Sequence, residues 1–169
     1  MRAAVYYAPN DLRMEDVETP EPGPGEILMK NISALTCGTD LKQYKRGYPK
    51  FKEGQKLIFG HESAGIVAKV GEGVTGFKVG DRIAPHNSAP CNKCYYCKIG
   101  EHSMCEDLTM VKSAWAEYRL LPAAIVRENV FHIPDHISFR SAALLEPLGS
   151  AVHGITDADI QLMDTVVIN

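Results

Sequence analysis

Four of the five cysteines in this chain lie in one short polar stretch, and their spacing is that of a metal site. Cys91, Cys94, Cys97 and Cys105 follow the pattern C-x2-C-x2-C-x7-C. Four thiolates complete the tetrahedral coordination of a zinc ion and leave no open position, so the predicted site is structural. A stretch this polar buries too little apolar surface to fold alone, so metal binding would supply the folding free energy. A redox CxxC pair, two disulfides and a four-thiolate iron site are the alternatives.

A second group of ligand-type residues is spread along the chain. Cys37 lies in TCGTD, His61 and Glu62 lie in GHESAG, and Glu146 lies in LEPLGSAVHG. Each of them alone is more often a buried thiol, a hydrogen-bonded histidine or a salt-bridge partner. A regular strand would point His61 and Glu62 to opposite faces, so both reach one ion only where the backbone is irregular. The residues by themselves do not establish a metal site.

The composition narrows the classes of function. The 169 residues fit one folded domain, with 45% hydrophobic and 23% charged residues, and the net charge of −3 disfavours nucleic acid or an anionic membrane as a partner. No apolar run has the roughly 18 residues of a membrane helix, and the N-terminal residues do not have the pattern of a secretory signal. We therefore expect a cytoplasmic protein with reduced cysteines.

The elements that must position these residues are mostly strands. Short apolar runs separated by glycine and proline favour an all-β barrel or sandwich core. Residues 86–112 are polar and rich in cysteine, and we predict that they form an inserted lobe. The predicted strands are 2–7, 12–17, 26–35, 63–70, 114–121 and 125–126.

The C-terminal part changes to a helical pattern. Ser138 is predicted to cap one helix and Pro147 to open a second. The chain then reads DTVVIN, a β-rich run typical of the first strand of a parallel sheet. The glycine-rich run at 70–76 is not predicted to bind phosphate, because no helix follows it. An apolar stripe at helical spacing is formed by Leu144, Leu145, Leu148, Val152 and Ile155.

In this order, the motifs resemble those of the zinc-dependent medium-chain alcohol dehydrogenases, and in particular the polyol (sorbitol-type) and threonine dehydrogenase branch. GHE-x2-G-x-V-x2-VG-x-GV-x4-VGDR is similar to the family signature, CGTD resembles the first zinc-ligand motif, and the cysteine lobe has the spacing of the structural zinc. The resemblance covers essentially the whole chain. It implies a mainly β fold, a GroES-like barrel with an inserted four-cysteine zinc lobe and C-terminal helices.

The resemblance also implies a division of the chain. Residues 1–157 would be the GroES-like catalytic domain, including the lobe at 86–112. Residues 158–169 would be a linker and the first strand of a Rossmann domain, whose G-x-G-x-x-G turn is not in the sequence. No cofactor-binding residue is therefore assigned. We expect a domain fragment or a truncated reading frame that binds zinc without turning over substrate.

Residue by residue, the resemblance implies a catalytic zinc site. Cys37 and His61 match the first two ligands, and Glu146 stands where some members place a second cysteine. Glu62 matches a glutamate that can enter or leave the zinc shell, and we rank Glu146, or the water it holds, ahead of it. Asp40 would accept the second ring N–H of His61 and fix its tautomer.

Three further residues have implied or open roles. Thr39 occupies the position whose hydroxyl takes the substrate proton. Lys42 stands where the relay usually has a histidine, and a charged lysine is a poor proton acceptor, so the rest of the relay is not assigned. Trp115, in the atypical stretch SAWAEY, either lines the substrate cleft or anchors the core.

The implied function is that of a zinc-dependent oxidoreductase. The zinc would polarise a secondary alcohol of a polyol, sugar alcohol or hydroxy amino acid, and the alkoxide would pass hydride to NAD or NADP. The implied cofactors are a catalytic and a structural zinc, the partner is a small alcohol or ketone, and the full-length enzyme would be a homo-oligomer. An NADPH-dependent aldehyde or ketone reductase is one alternative. A non-enzymatic GroES-like zinc-ribbon interaction module, which needs a single zinc ion, is another.

Overall fold

The computed structural model describes residues 1–48 and 55–168, and more of these residues lie in antiparallel strands than in helices. In chain order the strands are β1 (Arg2–Ala8), β2 (Asp11–Asp16), β3 (Ile27–Ala34), β4 (Leu57–Ile58), β5 (Ser63–Val70), β6 (Arg82–Pro85), β7 (Ser88–Ala89), β8 (Thr109–Met110), β9 (Tyr118–Leu121) and β10 (Val130–His132). One sheet has the order β2-β1-β4, a second has the order β10-β6-β5-β3-β9, and β7 pairs with β8. The predicted fold class, mainly β with minor helix, is confirmed.

The helices are short and connect or follow the strands. They are α1 (Gly38–Arg46), α2 (Tyr95–Lys98), α3 (Ala123–Glu128), α4 (Phe139–Ala142) and α5 (Leu145–Asp157), with a 3-10 turn at His102–Met104. None of the helices in the described ranges is long and apolar enough to cross a membrane.

The main core lies inside the five-stranded sheet. Alternate residues of a strand point to the same face, and the first three residues of β3 are all buried, so this end of the sheet is covered on both faces. The buried residues come from four strands, and burial of each large side chain contributes about 1.5–3 kcal/mol. They are Ile27, Met29, Val67, Ile83 and Leu121.

One predicted strand was wrong. Ile125 and Val126 were expected in a strand because both are β-branched, but they lie in the middle of α3. Their neighbours favour a helix, since Pro122 fits its start and accepts the N–H of Val126 at 3.0 Å. Ile125 is buried against Ala89 and Val111, so the helix still places the apolar side chain in the core.

The C-terminal helices begin close to the predicted positions. The side chain of Ser138 accepts the N–H of Ser141 at 3.0 Å, so the predicted cap of α4 is confirmed. The helix α5 begins at Leu145, and Pro147 lies in its first turn.

The outer face of α5 and the residues after it are exposed. Leu148, Val152 and Ile155 of the predicted apolar stripe are each more than half exposed. Residues 158–168 contain no helix or strand. A strand needs a neighbour to pair with, and the described chain offers none here, so the expected first strand of a second domain stays a prediction.

Candidate metal centres

The first candidate site begins at the N-terminus of α1. Cys37 is the N-cap residue, and its Sγ accepts the backbone N–H of Thr39 at 3.3 Å. In return Asp40 Oδ2 accepts the backbone N–H of Cys37 at 3.1 Å, which completes a capping box. The position of the thiol is therefore fixed by the start of the helix.

The other carboxylate oxygen of Asp40 fixes His61. Asp40 is 1% exposed, and its Oδ1 lies 3.0 Å from His61 Nδ1. An ionised carboxylate only accepts hydrogen bonds, so Nδ1 carries the proton and the lone pair of the ring is on Nε2. His61 Nε2 lies 3.4 Å from Cys37 Sγ and 3.5 Å from Glu62 Oε1. One buried aspartate thus orients two candidate ligands, of which only His61 was expected from the sequence.

An irregular backbone brings His61 and Glu62 to the same place. Both precede the first residue of β5, and Gly60 has a φ of +78°. The indole ring of Trp115 packs on Gly60, and a Cβ added there would lie 2.2 Å from its Cδ1. Trp115 also donates from Nε1 to the Leu35 carbonyl at 2.9 Å. Trp115 therefore anchors the segment that carries the two ligand-type residues.

We expect Gly60→Ala to destabilise the fold and displace His61. The left-handed backbone costs an L-residue about 1–2 kcal/mol, and the clash with Trp115 adds to it. The matched control is Gly73→Ala, because Gly73 has a φ of +77° but nothing lies within 4 Å of the added Cβ. Urea unfolding should show a loss of at least about 2 kcal/mol more for Gly60→Ala than for Gly73→Ala. Equal losses would mean that the contact with Trp115 does not hold this turn.

The donor atoms fit a zinc ion. The ligand atoms of Cys37, His61 and Glu62 all lie within 4.8 Å of one another. Metal–ligand bonds of about 2.0–2.3 Å place the donors of a tetrahedron roughly 3.3–3.8 Å apart, which matches the distances from His61 Nε2. Among the described residues, no group donates a hydrogen bond to the buried Oε1 of Glu62. Burial raises the pKa of the Glu62 carboxyl, and a bound cation would offset this penalty.

Glu146 lies on the same cleft but outside this cluster. It belongs to the first turn of α5 and, with Cys37, His61 and Glu62, lines a cleft of about 500 Å³. The expected ranking put Glu146 ahead of Glu62 as the third ligand. In the structure, Glu62 is the carboxylate grouped with the thiol of Cys37 and the imidazole of His61. A direct or water-mediated role of Glu146 stays a prediction.

The two proposed relay residues also reach this cleft. Thr39 and Lys42 lie on α1, are exposed, and contribute to its lining. Their roles in proton transfer stay predictions.

Several cleft residues were not found from the sequence. A neighbouring cavity of about 450 Å³ shares Thr39, His61 and Glu146 with the cleft. Its other walls come from distant parts of the chain, and no motif marks them. They include Gln43, Tyr48, His86, Asn87 and Lys112.

The second candidate site is the cysteine lobe. The pair β7 and β8 closes its base, and α2 and the 3-10 turn lie between them. Cys97 Sγ lies 3.5 Å from Cys94 Sγ and 3.9 Å from Cys91 Sγ, and all four sulfurs lie within 4.8 Å of one another. A disulfide requires about 2.05 Å between sulfurs, so these cysteines are not paired. The separations suit the edges of a four-thiolate tetrahedron.

The local hydrogen bonds favour thiolates at two of these positions. The backbone N–H of Lys93 lowers the pKa of Cys91, and that of Glu106 lowers the pKa of Cys94 to about 6. Burial raises the pKa of Cys97 to about 12. A buried thiol in this setting loses its proton only when a cation shares the cluster, so the lobe fits a metal ion.

Comparison with known proteins gives one clear family match. Residues 23–135 match the alcohol dehydrogenase GroES-like domain. The chain is 32% identical over 170 residues to sorbitol dehydrogenase from Bacillus subtilis (strain 168), covering 99% of this chain and 48% of that protein. It is 39% identical over 142 residues to L-threonine 3-dehydrogenase from Pyrococcus furiosus. That match covers 81% of this chain and 40% of that protein.

The fold is also that of a solved dehydrogenase. An alcohol dehydrogenase from Escherichia coli CFT073, crystallised with the cofactor NADH, superposes with a TM-score of 0.84 and 29% identity, over 98% of this chain and 48% of that chain. The chain thus spans about half the length of the curated relatives it matches.

Proposed function

Because the chain belongs to the zinc-dependent medium-chain alcohol dehydrogenase family through its GroES-like domain, we propose that it is the zinc-binding catalytic domain of an NAD(P)-dependent oxidoreductase. The reaction would oxidise a secondary alcohol to a ketone. The single observation that carries the proposal is the cluster of Cys37, His61 and Glu62 at the wall of an open cleft. An interaction module would need the cysteine lobe alone.

The residues of the chain would do four things in this reaction. Zinc, when bound, supplies a Lewis acid that lowers the pKa of the alcohol. The Cys37 thiolate and the Glu62 carboxylate balance its two positive charges, and Asp40 keeps the Nε2 lone pair of His61 directed at it. The hydroxyl of Thr39, which is exposed, would accept the proton of the substrate alcohol and release its own proton to solvent. Lys42, on the same helix, would donate a hydrogen bond.

The relatives support the substrate class in the proposal. They are named for sorbitol and L-threonine, in both of which a secondary alcohol is available for oxidation. The cofactor would be NAD or NADP, since the Escherichia coli relative was crystallised with NADH.

Cobalt substitution tests the proposal without requiring turnover. Co²⁺ reports its ligands through its visible spectrum, and a site with an open position changes its spectrum when an alcohol binds. We expect secondary alcohols to perturb the bands of one of two cobalt ions, and Cys37→Ala to abolish this response. The proposal is wrong if alcohols leave both cobalt sites unchanged while both are loaded.

The two carboxylates should differ in their contribution to metal affinity. Glu62→Gln removes the buried donor beside His61, so the affinity of this site should fall about 10–100-fold, as for loss of a supporting or ligating group. Glu146→Gln is the matched control in the same cleft and should change affinity less than threefold, on the order of 0.6 kcal/mol. Competition with a chromophoric chelator measures both. A larger loss for Glu146→Gln would restore Glu146 as the third ligand.

A further inference from the structure

Lys112 contributes an ammonium group to the candidate substrate cavity, where its short contacts with the described residues are neutral. Among the described residues, its Nζ lies 3.5 Å from the amide oxygen of Gln43 and 5.3 Å from the ring centroid of Tyr48. The same cavity is lined by Thr39, His61 and Glu146. A half-buried cation therefore faces the place where a substrate would sit.

Arg119 fixes Lys112 relative to the metal cluster. Its guanidinium is fully buried and donates to the carbonyls of Lys112 at 3.0 Å and Val111 at 3.1 Å. It also donates to Ser63 Oγ at 2.9 Å, and Ser63 directly follows Glu62. One rigid side chain thus connects the backbone of Lys112 with the segment that carries the candidate ligands. A site residue held in this way is positioned before any ligand arrives.

Lys112 lacks a direct ionic partner in the cavity. Burial lowers the pKa of Lys112, while the charges of Asp40, Cys37 and Glu146 raise it and the Arg119 guanidinium lowers it. Among the described residues, none of these carboxylates forms an ion pair with the ammonium, whose short contact is the neutral amide of Gln43. A half-buried ammonium without an ion pair is unfavourable, and an anion in the cavity would be its direct partner.

We propose that Lys112 determines the specificity of the cleft and selects alcohols that carry an anionic group, a carboxylate or a phosphate ester, near the hydroxyl that is oxidised. This inference rests on the proposed function, which places that hydroxyl beside Cys37, His61 and Glu62. His86 also lines the cavity, and its Nδ1 lies 3.2 Å from the backbone nitrogen and 3.3 Å from the carbonyl oxygen of Ser88.

Two matched pairs of compounds test the proposal on the zinc-loaded chain. The pairs are 3-hydroxybutyrate with 1,3-butanediol, and glycerol 3-phosphate with glycerol, and binding is followed by NMR titration. We expect the anionic member of at least one pair to bind about tenfold more tightly or better, as for a charged hydrogen bond. The pair with the larger difference identifies the anion as a carboxylate or a phosphate ester.

Variants separate Lys112 from the metal as the source of this preference. Lys112→Met and Lys112→Gln should both remove the preference, while Lys112→Arg keeps most of it. Lys30→Met is the control, since Lys30 is exposed on β3. The zinc content of each variant checks its fold.

The outcomes distinguish the two proposals. If the metal itself holds the anion, the Lys112 variants will bind the anionic compounds as tightly as the parent chain does. This result would overturn the role of Lys112. Equal binding of charged and neutral compounds to the parent chain would also overturn it and leave the proposed function standing. If none of the four compounds binds the zinc-loaded chain, the proposed function fails and the inference fails with it.

Discussion

Replacement of Cys97 by alanine should unfold the cysteine lobe. Cys97 is the buried member of the four cysteines, and its sulfur lies closest to that of Cys94. Structural zinc contributes about 10–16 kcal/mol to the folding of small sites, and three thiolates retain only part of it. The polar segment between β7 and β8 has no comparable apolar core to replace the lost free energy.

Limited proteolysis and zinc content measure this effect together. Cleavage between Ser88 and Met110 should become at least about tenfold faster in Cys97→Ala, because the lobe would open locally. The control is Ser103→Ala, an exposed position in the same lobe, which should behave like the parent chain. A Cys97→Ala chain that resists protease and keeps its metal would show that the lobe does not depend on zinc.

Replacement of Cys37 should remove the other metal ion and leave the fold in place. Loss of the N-cap interaction in Cys37→Ala costs about 1 kcal/mol, a small part of the stability of a domain of this size. Loss of the thiolate removes one of three protein ligands and should lower metal affinity at this site by at least about a hundredfold, as roughly 3 kcal/mol or more of binding free energy is lost.

Cys37→Ser separates the two roles of this residue. Serine is a favourable N-cap, so the start of α1 should be preserved while the soft thiolate ligand is lost. We expect both variants to retain a single zinc ion and near-parental far-UV circular dichroism. If Cys37→Ala unfolded the chain while Cys97→Ala affected only one metal site, the assigned roles of the two cysteines would be reversed.

The features that the sequence could predict are those with local signals. Alternating apolar residues predicted β1, β2, β3 and β5 to within a residue or two, and Ser138 was identified as a cap from its type and position. The cysteine lobe was predicted because its four ligand positions lie within one segment. Local rules failed at Ile125, where the β-branched side chain is buried from a helix.

The features that could not be predicted from the sequence depend on contacts between residues far apart in the chain. Glu62 joins Cys37 and His61 because Gly60 turns the chain under Trp115, a residue more than fifty positions away. The backbone of Lys112 is held beside the cleft by Arg119, which also binds Ser63 more than fifty positions away. Neither arrangement leaves a pattern in the neighbouring residues. The expected priority of Glu146 over Glu62 assumed that a regular strand points adjacent residues to opposite faces, and the left-handed backbone at Gly60 removes that regularity.

The number of zinc ions per chain tests the central claim most directly. We propose that one zinc ion binds among Cys91, Cys94, Cys97 and Cys105 and that another binds between Cys37 and His61. Metal analysis of the chain prepared with excess zinc should therefore give two zinc ions per chain. Mild chelation should remove the ion with an open position first. A chain that never holds more than one zinc ion under these conditions would contradict the catalytic site and leave only a structural lobe.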